Sequence, residues 1–216
     1  MKKFLFIILL LPAFASHAQS RIYISGGVTT ALGGSIDTYS GSSALPSFDV
    51  EYERRIVGSM GLLTGISFYG VGYDYDGTGF ASNTSNFRAD YLAIPLMARW
   101  NMFNKQSLYF DFGMVASYMA KANLKETFYK FNVPQTAEGD ISGYSNRILL
   151  GAKFQETIAF NRFTVSIFMI ISFKGQNTIK DLPEHWPLNQ QQSTYLLSNG
   201  YSDFLLGGVK LGVRIK

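Results

Sequence analysis

SFDVEYER, residues 47–54, alternates apolar and acidic side chains along its length. Because successive side chains of a β-strand point to opposite faces, this alternation predicts a two-faced strand. The two faces are Phe48, Val50 and Tyr52 on one side, and Asp49, Glu51 and Glu53 on the other. Two structures satisfy the pattern. Either the apolar face covers a protein core with the acids in water, or it faces lipid with the acids lining a polar lumen.

The first 18 residues have the pattern of a secretory signal peptide. Lys2 and Lys3 form a positive start, residues 4–14 are mainly apolar, and small residues at Ser16 and Ala18 precede a cleavage site. The apolar run is too short for a transmembrane helix, which needs roughly 20 residues. The sequence therefore predicts a signal peptide over residues 1–18 and export of the rest.

Composition points to a single β-rich domain over residues 19–216. The chain has 21 glycines, 15% aromatic residues and no cysteine, so it has neither a disulfide framework nor a thiolate metal site. Without the two signal-peptide lysines, 17 basic residues remain against 15 acidic ones, and the net charge falls from +4 to +2. This charge gives no reason to expect a nucleic-acid partner. Beyond the signal peptide no apolar run is long enough for a membrane helix, so a membrane location requires a closed barrel.

Eight segments alternate in the manner of the opening stretch. They are residues 21–32, 47–56, 60–73, 88–100, 107–121, 144–158, 162–174 and 203–215. Several are ten residues or longer, which exceeds a usual globular strand and suffices to cross a bilayer at a tilt. In the clearest one, the face opposite the apolar residues carries Tyr109, Asp111, Gly113, Ser117 and Lys121. The predicted fold is all-β, an eight-stranded antiparallel up-and-down transmembrane β-barrel.

Connections between these segments alternate in length. Those near residues 57–59, 101–106 and 159–161 are short, and those over 33–46, 74–87, 122–143 and 175–202 are long. Short periplasmic turns and long extracellular loops are the expected asymmetry of an outer-membrane barrel. The sequence thus predicts a bacterial outer-membrane location, contact with outer-membrane lipid, and long loops available to other cell-envelope proteins.

The faces opposite the apolar ones collect charges of both signs. The predicted lumen charge network is Asp49, Glu51, Glu53, Arg99, Asp111, Arg147, Lys153, Lys210 and Arg214. The interior of an eight-stranded barrel is only wide enough to be filled by its own side chains. We therefore expect ion pairs to plug the lumen.

The segment DYLAIPLMARW, residues 90–100, resembles the PorT-type outer-membrane β-barrel family of Bacteroidota. The motif residues are Tyr91, Leu92, Ile94, Pro95 and Leu96, and the sequence departs from the family at Ala93, where an acidic residue is frequent. The resemblance implies an eight-stranded barrel that tolerates a proline in this strand, and an accessory role in secretion or cell-surface assembly. Proline removes a ladder donor, which predicts a bulge or local break at this position.

Two alternatives to a non-enzymatic membrane barrel remain. The first is a soluble, lipocalin-like secreted barrel with its apolar faces inward, binding an apolar ligand. The second is a surface lipid-modifying enzyme with His185 as general base and Ser193 or Ser198 as nucleophile. The chain has no Gly-x-Ser-x-Gly motif and a single histidine after the signal peptide. We therefore predict no catalytic residue, no metal site and no cofactor.

Overall fold

The computed structural model describes residues 20–34, 39–76, 84–102, 107–130, 133–144, 147–173 and 204–215. The strands are β1 (Ser20–Gly34), β2 (Tyr39–Ser42), β3 (Leu45–Val57), β4 (Met60–Asp76), β5 (Thr84–Asn101), β6 (Leu108–Lys130), β7 (Val133–Asp140), β8 (Ile148–Phe160), β9 (Phe163–Ser172) and β10 (Phe204–Ile215). A short 3-10 turn spans Ser142–Tyr144. No helix in the described ranges is both long and apolar enough to cross a bilayer. The predicted signal peptide lies outside these ranges.

Eight of the strands close into an antiparallel barrel in the order β1-β3-β4-β5-β6-β8-β9-β10. Closure occurs where β1 pairs with β3 on one side and with β10 on the other. The predicted fold class is thus confirmed. We call the end of the barrel with the short connections, where β1 begins and β10 ends, the turn end, and the opposite end the loop end.

At the loop end, strands project beyond the barrel as an extended sheet. Strand β6 continues to Lys130 and pairs with β7, whereas the sequence pattern ends this strand at residue 121 and predicts a long connection over residues 122–143. That prediction is wrong because alternation persists past residue 121: Leu124 and Glu126 are buried and Lys125 is exposed. The frequent charged and polar residues of this stretch hide the pattern. Strands β4 and β5 also run further than predicted, and β2 pairs with the end of β4.

Apolar side chains cover the outside of the barrel and charged side chains lie inside. Ile94 and Phe163 are 60% and 67% exposed, whereas Glu51 and Asp111 are 3% and 0% exposed. This distribution is the reverse of a soluble protein, and it contradicts the lipocalin-like alternative, which requires inward apolar faces. The buried charged groups form ion pairs with one another, and these pairs replace hydration by water.

Lys121 lies on the outer surface, although alternation along β6 predicts the lumen face. The register between β5 and β6 shifts here: Asp90 pairs with Lys121, but Tyr91 pairs with Met119. Ala120 is therefore an extra residue, a β-bulge, and such bulges redirect the side chains that follow them. As a result both Ala120 and Lys121 are exposed.

Pro95 produces the expected local break without a bulge. The β4–β5 ladder has no pair between Thr64↔Leu96 and Ser67↔Ala93, and the register is the same on both sides of the gap. The hydroxyl of Thr64 donates to the carbonyl oxygen of Pro95 at 2.8 Å. This side-chain hydrogen bond replaces part of the interrupted ladder.

Gly65 lies where neighbouring strands approach closely on the inside of the barrel. A Cβ atom at this position would lie 2.1 Å from the carbonyl oxygen of Val50. We expect Gly65→Ala to lower the free energy of unfolding by about 1–3 kcal/mol, because backbone must move to admit the methyl group. Urea unfolding in lipid vesicles measures this difference. Gly26→Ala is the matched control, since its nearest contact would be 3.9 Å away; an equal loss in both variants would contradict the steric explanation.

Candidate functional site

The turn-end half of the lumen is organised around the guanidinium group of Arg99. Its Nε and Nη2 atoms donate to the two carboxylate oxygens of Asp111, each at 2.7 Å, and Nη1 donates to Glu53 at 3.0 Å. The rings of Tyr23 and Tyr109 lie 4.9 and 4.8 Å from the guanidinium carbon. Hydrogen bonds and cation–π contacts together hold this cation rigidly.

Arg21 extends the same cluster towards the turn end. Its Nη1 atom donates to the hydroxyl of Tyr109 at 3.0 Å and lies 3.8 Å from a carboxylate oxygen of Glu53. The hydroxyl of Tyr23 also donates to Glu53. Arg21 is missing from the predicted network, yet it shares strand parity with Tyr23, which the alternation places on the inner face. Arg21 is the first residue of the predicted segment 21–32, so applying the alternation to that residue would have found it.

A second group of charges lies nearer the middle of the barrel. The ammonium groups of Lys153 and Lys210 lie 3.4 and 3.3 Å from Oε1 of Glu51, and 3.7 and 3.1 Å from the carboxylate of Asp49. Gln155 accepts a hydrogen bond from Lys210 at 2.9 Å. Each lysine is therefore shared between two carboxylates.

The charges of the central lumen cancel. Among the residues that the structure describes, four carboxylates of the central lumen face four cations: Asp49, Glu51, Glu53 and Asp111 against Arg21, Arg99, Lys153 and Lys210. Ionised groups removed from water are strongly unfavourable unless they are paired and hydrogen-bonded. A neutral, mutually bonded cluster satisfies this condition and leaves no excess charge to attract a permeating ion.

Towards the loop end the lumen is filled by apolar and aromatic side chains. The rings of Tyr69 and Tyr91 stack with centroids 5.4 Å apart, and the Tyr69 hydroxyl is hydrogen-bonded to Ser117 at 2.8 Å. Further members of this buried cluster are Val71, Tyr73, Phe87, Ala89, Val115, Met119, Leu149, Phe168, Ile170 and Leu206. The sequence pattern predicts a charged lumen and does not show that the inward faces of β4 and β5 become apolar at this end of the barrel.

Phe168 joins the two layers. The ammonium groups of Lys153 and Lys210 lie 5.4 and 5.0 Å from the centre of its ring. The lysines thus contact carboxylates on one side and an aromatic face on the other. The charge cluster and the apolar layer form one continuous packed interior.

Two of the predicted network residues lie elsewhere. Arg147 is exposed and donates to the hydroxyl of Tyr118 at 2.9 Å and to the carbonyl oxygen of Ser142 at 3.2 Å. It precedes the first residue of β8, so the barrel wall does not confine its side chain. Arg214 lies at the turn end, where it donates to the carbonyl oxygen of Asn161 at 2.6 Å. Neither contacts the central cluster, whereas the other seven predicted residues do.

The motif residues divide between the two faces of β5. Tyr91 and Pro95 point into the lumen, and Leu92, Ile94 and Leu96 are exposed on the outer surface. The motif therefore contributes an aromatic ring to the apolar layer and three side chains to the outer belt.

His185, Ser193 and Ser198 lie outside the described residues. Within the described ranges, no group of three or more histidine, aspartate or glutamate side chains is placed to hold a metal ion.

An eight-stranded barrel with an apolar exterior and a paired-charge interior is an integral membrane β-barrel of the outer-membrane type. No family model and no curated protein matches the sequence. Among solved structures the chain is similar to CarO of Acinetobacter baumannii, with 12% identity, 88% of this chain and 96% of that chain covered, and a TM-score of 0.48. It is also similar to Ail, the attachment invasion locus protein of Yersinia pestis, with 11% identity, 93% and 100% coverage, and a TM-score of 0.44. A third similar structure is neisserial surface protein A, with 11% identity, 93% of this chain and 99% of that chain covered, and a TM-score of 0.36. At these identities the likeness is one of fold alone.

Glu156 is a carboxylate on the apolar outer surface. It is exposed, and its cross-strand partners are Phe110 on β6 and Ile167 on β9. We expect Glu156→Leu to raise the free energy of unfolding in lipid vesicles by about 1 kcal/mol, because a charge facing hydrocarbon is unfavourable. Glu138→Leu, on the exposed strand β7, is the control and should change it by less than about 0.5 kcal/mol. A loss of stability in the Glu156 variant would show that this carboxylate is not in contact with lipid.

Proposed function

We propose that this chain is a non-enzymatic integral protein of a bacterial outer membrane. Its lumen is closed, and the sheet that projects at the loop end is its partner-binding surface. The observation that carries the proposal is the cancelled, fully paired charge cluster inside an apolar wall. A protein built for permeation needs hydrated or replaceable ligands along its path. Here the carboxylates and cations bond to one another, and an apolar layer lies between them and the loop end.

Export is part of the same proposal. Residues 1–18 act as a signal peptide that is removed, and residues 19–216 form the barrel domain. Insertion with the turn end in the periplasm places the long connections and the projecting sheet outside the cell. The exposed belt then contacts membrane lipid around the whole circumference.

The loop-end sheet is the surface best suited to a protein partner. It is formed by β2, the ends of β4, β5 and β6, and β7, and most side chains of β7 are exposed. We infer an accessory role in secretion or cell-surface assembly, exerted on another cell-envelope protein. This role and membership of the PorT-type family rest on the motif over residues 91–96.

The proposal is tested by expressing the full chain with its own first 18 residues. The expected results are recovery in the outer-membrane fraction, heat-modifiable migration on gels, and a mature N-terminus at Gln19. Purified protein in a planar bilayer should give no sustained conductance. Recovery as a soluble periplasmic protein would contradict the membrane location, and a stable open channel would contradict the closed lumen.

The accessory role has its own test. A variant with residues 125–138 replaced by a short turn removes most of the β6–β7 hairpin and leaves the barrel strands intact. We expect it to insert normally but to fail to support secretion or surface assembly in the native host. Normal secretion and surface assembly in the host, both with this variant and after deletion of the whole gene, would exclude the accessory role.

A further inference from the structure

Three exposed side chains lie at the loop-end rim of the outer surface, on β6 and just before β8. They are Tyr118, Lys121 and Arg147. Tyr118 belongs to the apolar belt and pairs with the exposed Ile148 across the β6–β8 ladder. The two cations lie just beyond this last apolar row, where a membrane protein meets lipid headgroups.

Arg147 is held in place on this rim by two hydrogen bonds. One runs to the Tyr118 hydroxyl at 2.9 Å and the other to the carbonyl oxygen of Ser142 at 3.2 Å. The backbone amide of Met119 donates to the carbonyl oxygen of Arg147 at 2.7 Å, which fixes this end of β8 against β6. The guanidinium group thus lies on the outer surface with a fixed orientation.

The β-bulge at Ala120 brings Lys121 to the same surface. Regular alternation would place Lys121 in the lumen, beyond the buried Met119. The extra residue turns it outward at the height of the headgroups. Bulges commonly serve to redirect a side chain in this way.

Asp140 is held by Ser142, the residue whose carbonyl oxygen accepts a hydrogen bond from Arg147. Its carboxylate accepts hydrogen bonds from the amide of Ser142 at 2.8 Å and from the Ser142 hydroxyl. These bonds lower the pKa of Asp140, and Lys121 and Arg147 act on it in the same direction. An ordered carboxylate therefore lies beside the residue that binds the Arg147 guanidinium group.

The neighbouring strand adds one charge of each sign. Arg88 is exposed and Asp90 pairs with Lys121 across the β5–β6 ladder. The rim then holds Arg88, Lys121 and Arg147 against Asp90 and Asp140, a net charge of +1. In contrast to the neutral lumen, this surface has an excess cation.

We propose that Lys121, Arg147 and Tyr118 form a binding site for the phosphate group of an anionic lipid in the outer leaflet. The apolar surface directly below the site argues for a lipid: Ile148 and Leu150 are exposed on the same strand that begins beside Arg147. An acyl chain lies against these side chains while the phosphate meets the guanidinium, ammonium and phenol groups. The inference rests on the proposed membrane location.

Binding is measured on the full barrel, purified in detergent and titrated with a phosphorylated glycolipid of the bacterial outer leaflet or with its dephosphorylated form. We expect tighter binding of the phosphorylated lipid. Lys121→Gln and Arg147→Gln should each weaken it about fivefold, and the double variant more. Tyr118→Phe should weaken it less, because the ring remains and only the hydroxyl is lost.

Arg162→Gln is the control, because Arg162 is an exposed cation at the turn end of the barrel. Unchanged binding in this control, with loss in the rim variants, supports the site. Equal loss in Arg162→Gln, or equal affinity for the two lipid forms, would overturn it. Competition by inorganic phosphate at concentrations equal to the lipid would assign the site to free phosphate and overturn the lipid assignment. Heat-modifiable migration, measured on every variant, reports separately whether the barrel itself has formed.

Discussion

Arg99→Leu is expected to lower the free energy of unfolding by about 3–5 kcal/mol, because it leaves the buried carboxylate of Asp111 without its cation and removes the closer of the two cations beside Glu53. Asp111 loses both of its 2.7 Å hydrogen bonds and Glu53 loses one of 3.0 Å. Both carboxylates are almost fully buried, so water cannot replace the guanidinium group. Equilibrium unfolding in urea, with the barrel in lipid vesicles, measures the change.

The double variant Arg99→Leu/Asp111→Leu separates lost charge balance from lost contacts. It restores the equality of acids and bases in the central lumen, so it should recover part of the lost stability. Arg162→Gln, an exposed arginine at the turn end, should change stability by less than about 0.5 kcal/mol. If the double variant were less stable than Arg99→Leu alone, charge balance would not be the controlling factor.

Glu51→Gln is expected to destabilise the barrel by about 3 kcal/mol, because two lysines then share the single carboxylate of Asp49. Lys153 and Lys210 lie within 3.4 Å of Glu51, and both ammonium groups are buried. Glutamine keeps the shape of the side chain but removes its charge. The loss therefore measures electrostatic compensation rather than packing.

A second substitution provides the test of this explanation. Lys153→Met removes the now uncompensated cation and retains an unbranched apolar chain beside Phe168. The double variant Glu51→Gln/Lys153→Met should be more stable than Glu51→Gln. Additive losses in the two single variants and the double variant would mean that these groups do not interact.

The alternation in residues 47–54 predicts a two-faced strand, and its repetition in eight segments with connections of alternating length predicts the barrel. The same rule places Asp49, Glu51 and Glu53 inside the lumen, where the structure has them. It fails where the chain departs from regular pairing. Lys121 follows a bulge, and Arg147 precedes the first paired residue of its strand, so period two does not apply to either.

The contents of the lumen are harder to predict than its walls. Which cation meets which carboxylate depends on the register between strands distant in sequence, and alternation within one strand carries no information on register. The apolar layer escapes prediction for a related reason. Its members on β4, such as Tyr69, Val71 and Tyr73, form an apolar inward face at the loop end, and alternation within one strand does not show at which height the lumen changes from charged to apolar.

Ala93, the departure from the family motif, is explained by its surroundings. It is fully buried on the lumen face and pairs with Ser67 and Ser117 across its two ladders. A carboxylate here would add a fifth acid to a central lumen that holds four acids and four bases. Alanine at this position is therefore consistent with the neutral interior.

The charge cluster also constrains how the protein is assembled. Lys153 and Lys210 follow their shared acceptor Glu51 by 102 and 159 residues. A nascent barrel that lacked its final strand would hold the four carboxylates with only three of their four cations, and an uncompensated charge away from water is strongly unfavourable. We therefore expect the early strands to enter the bilayer together with the C-terminal strand, so that insertion and cylinder closure occur as one concerted event.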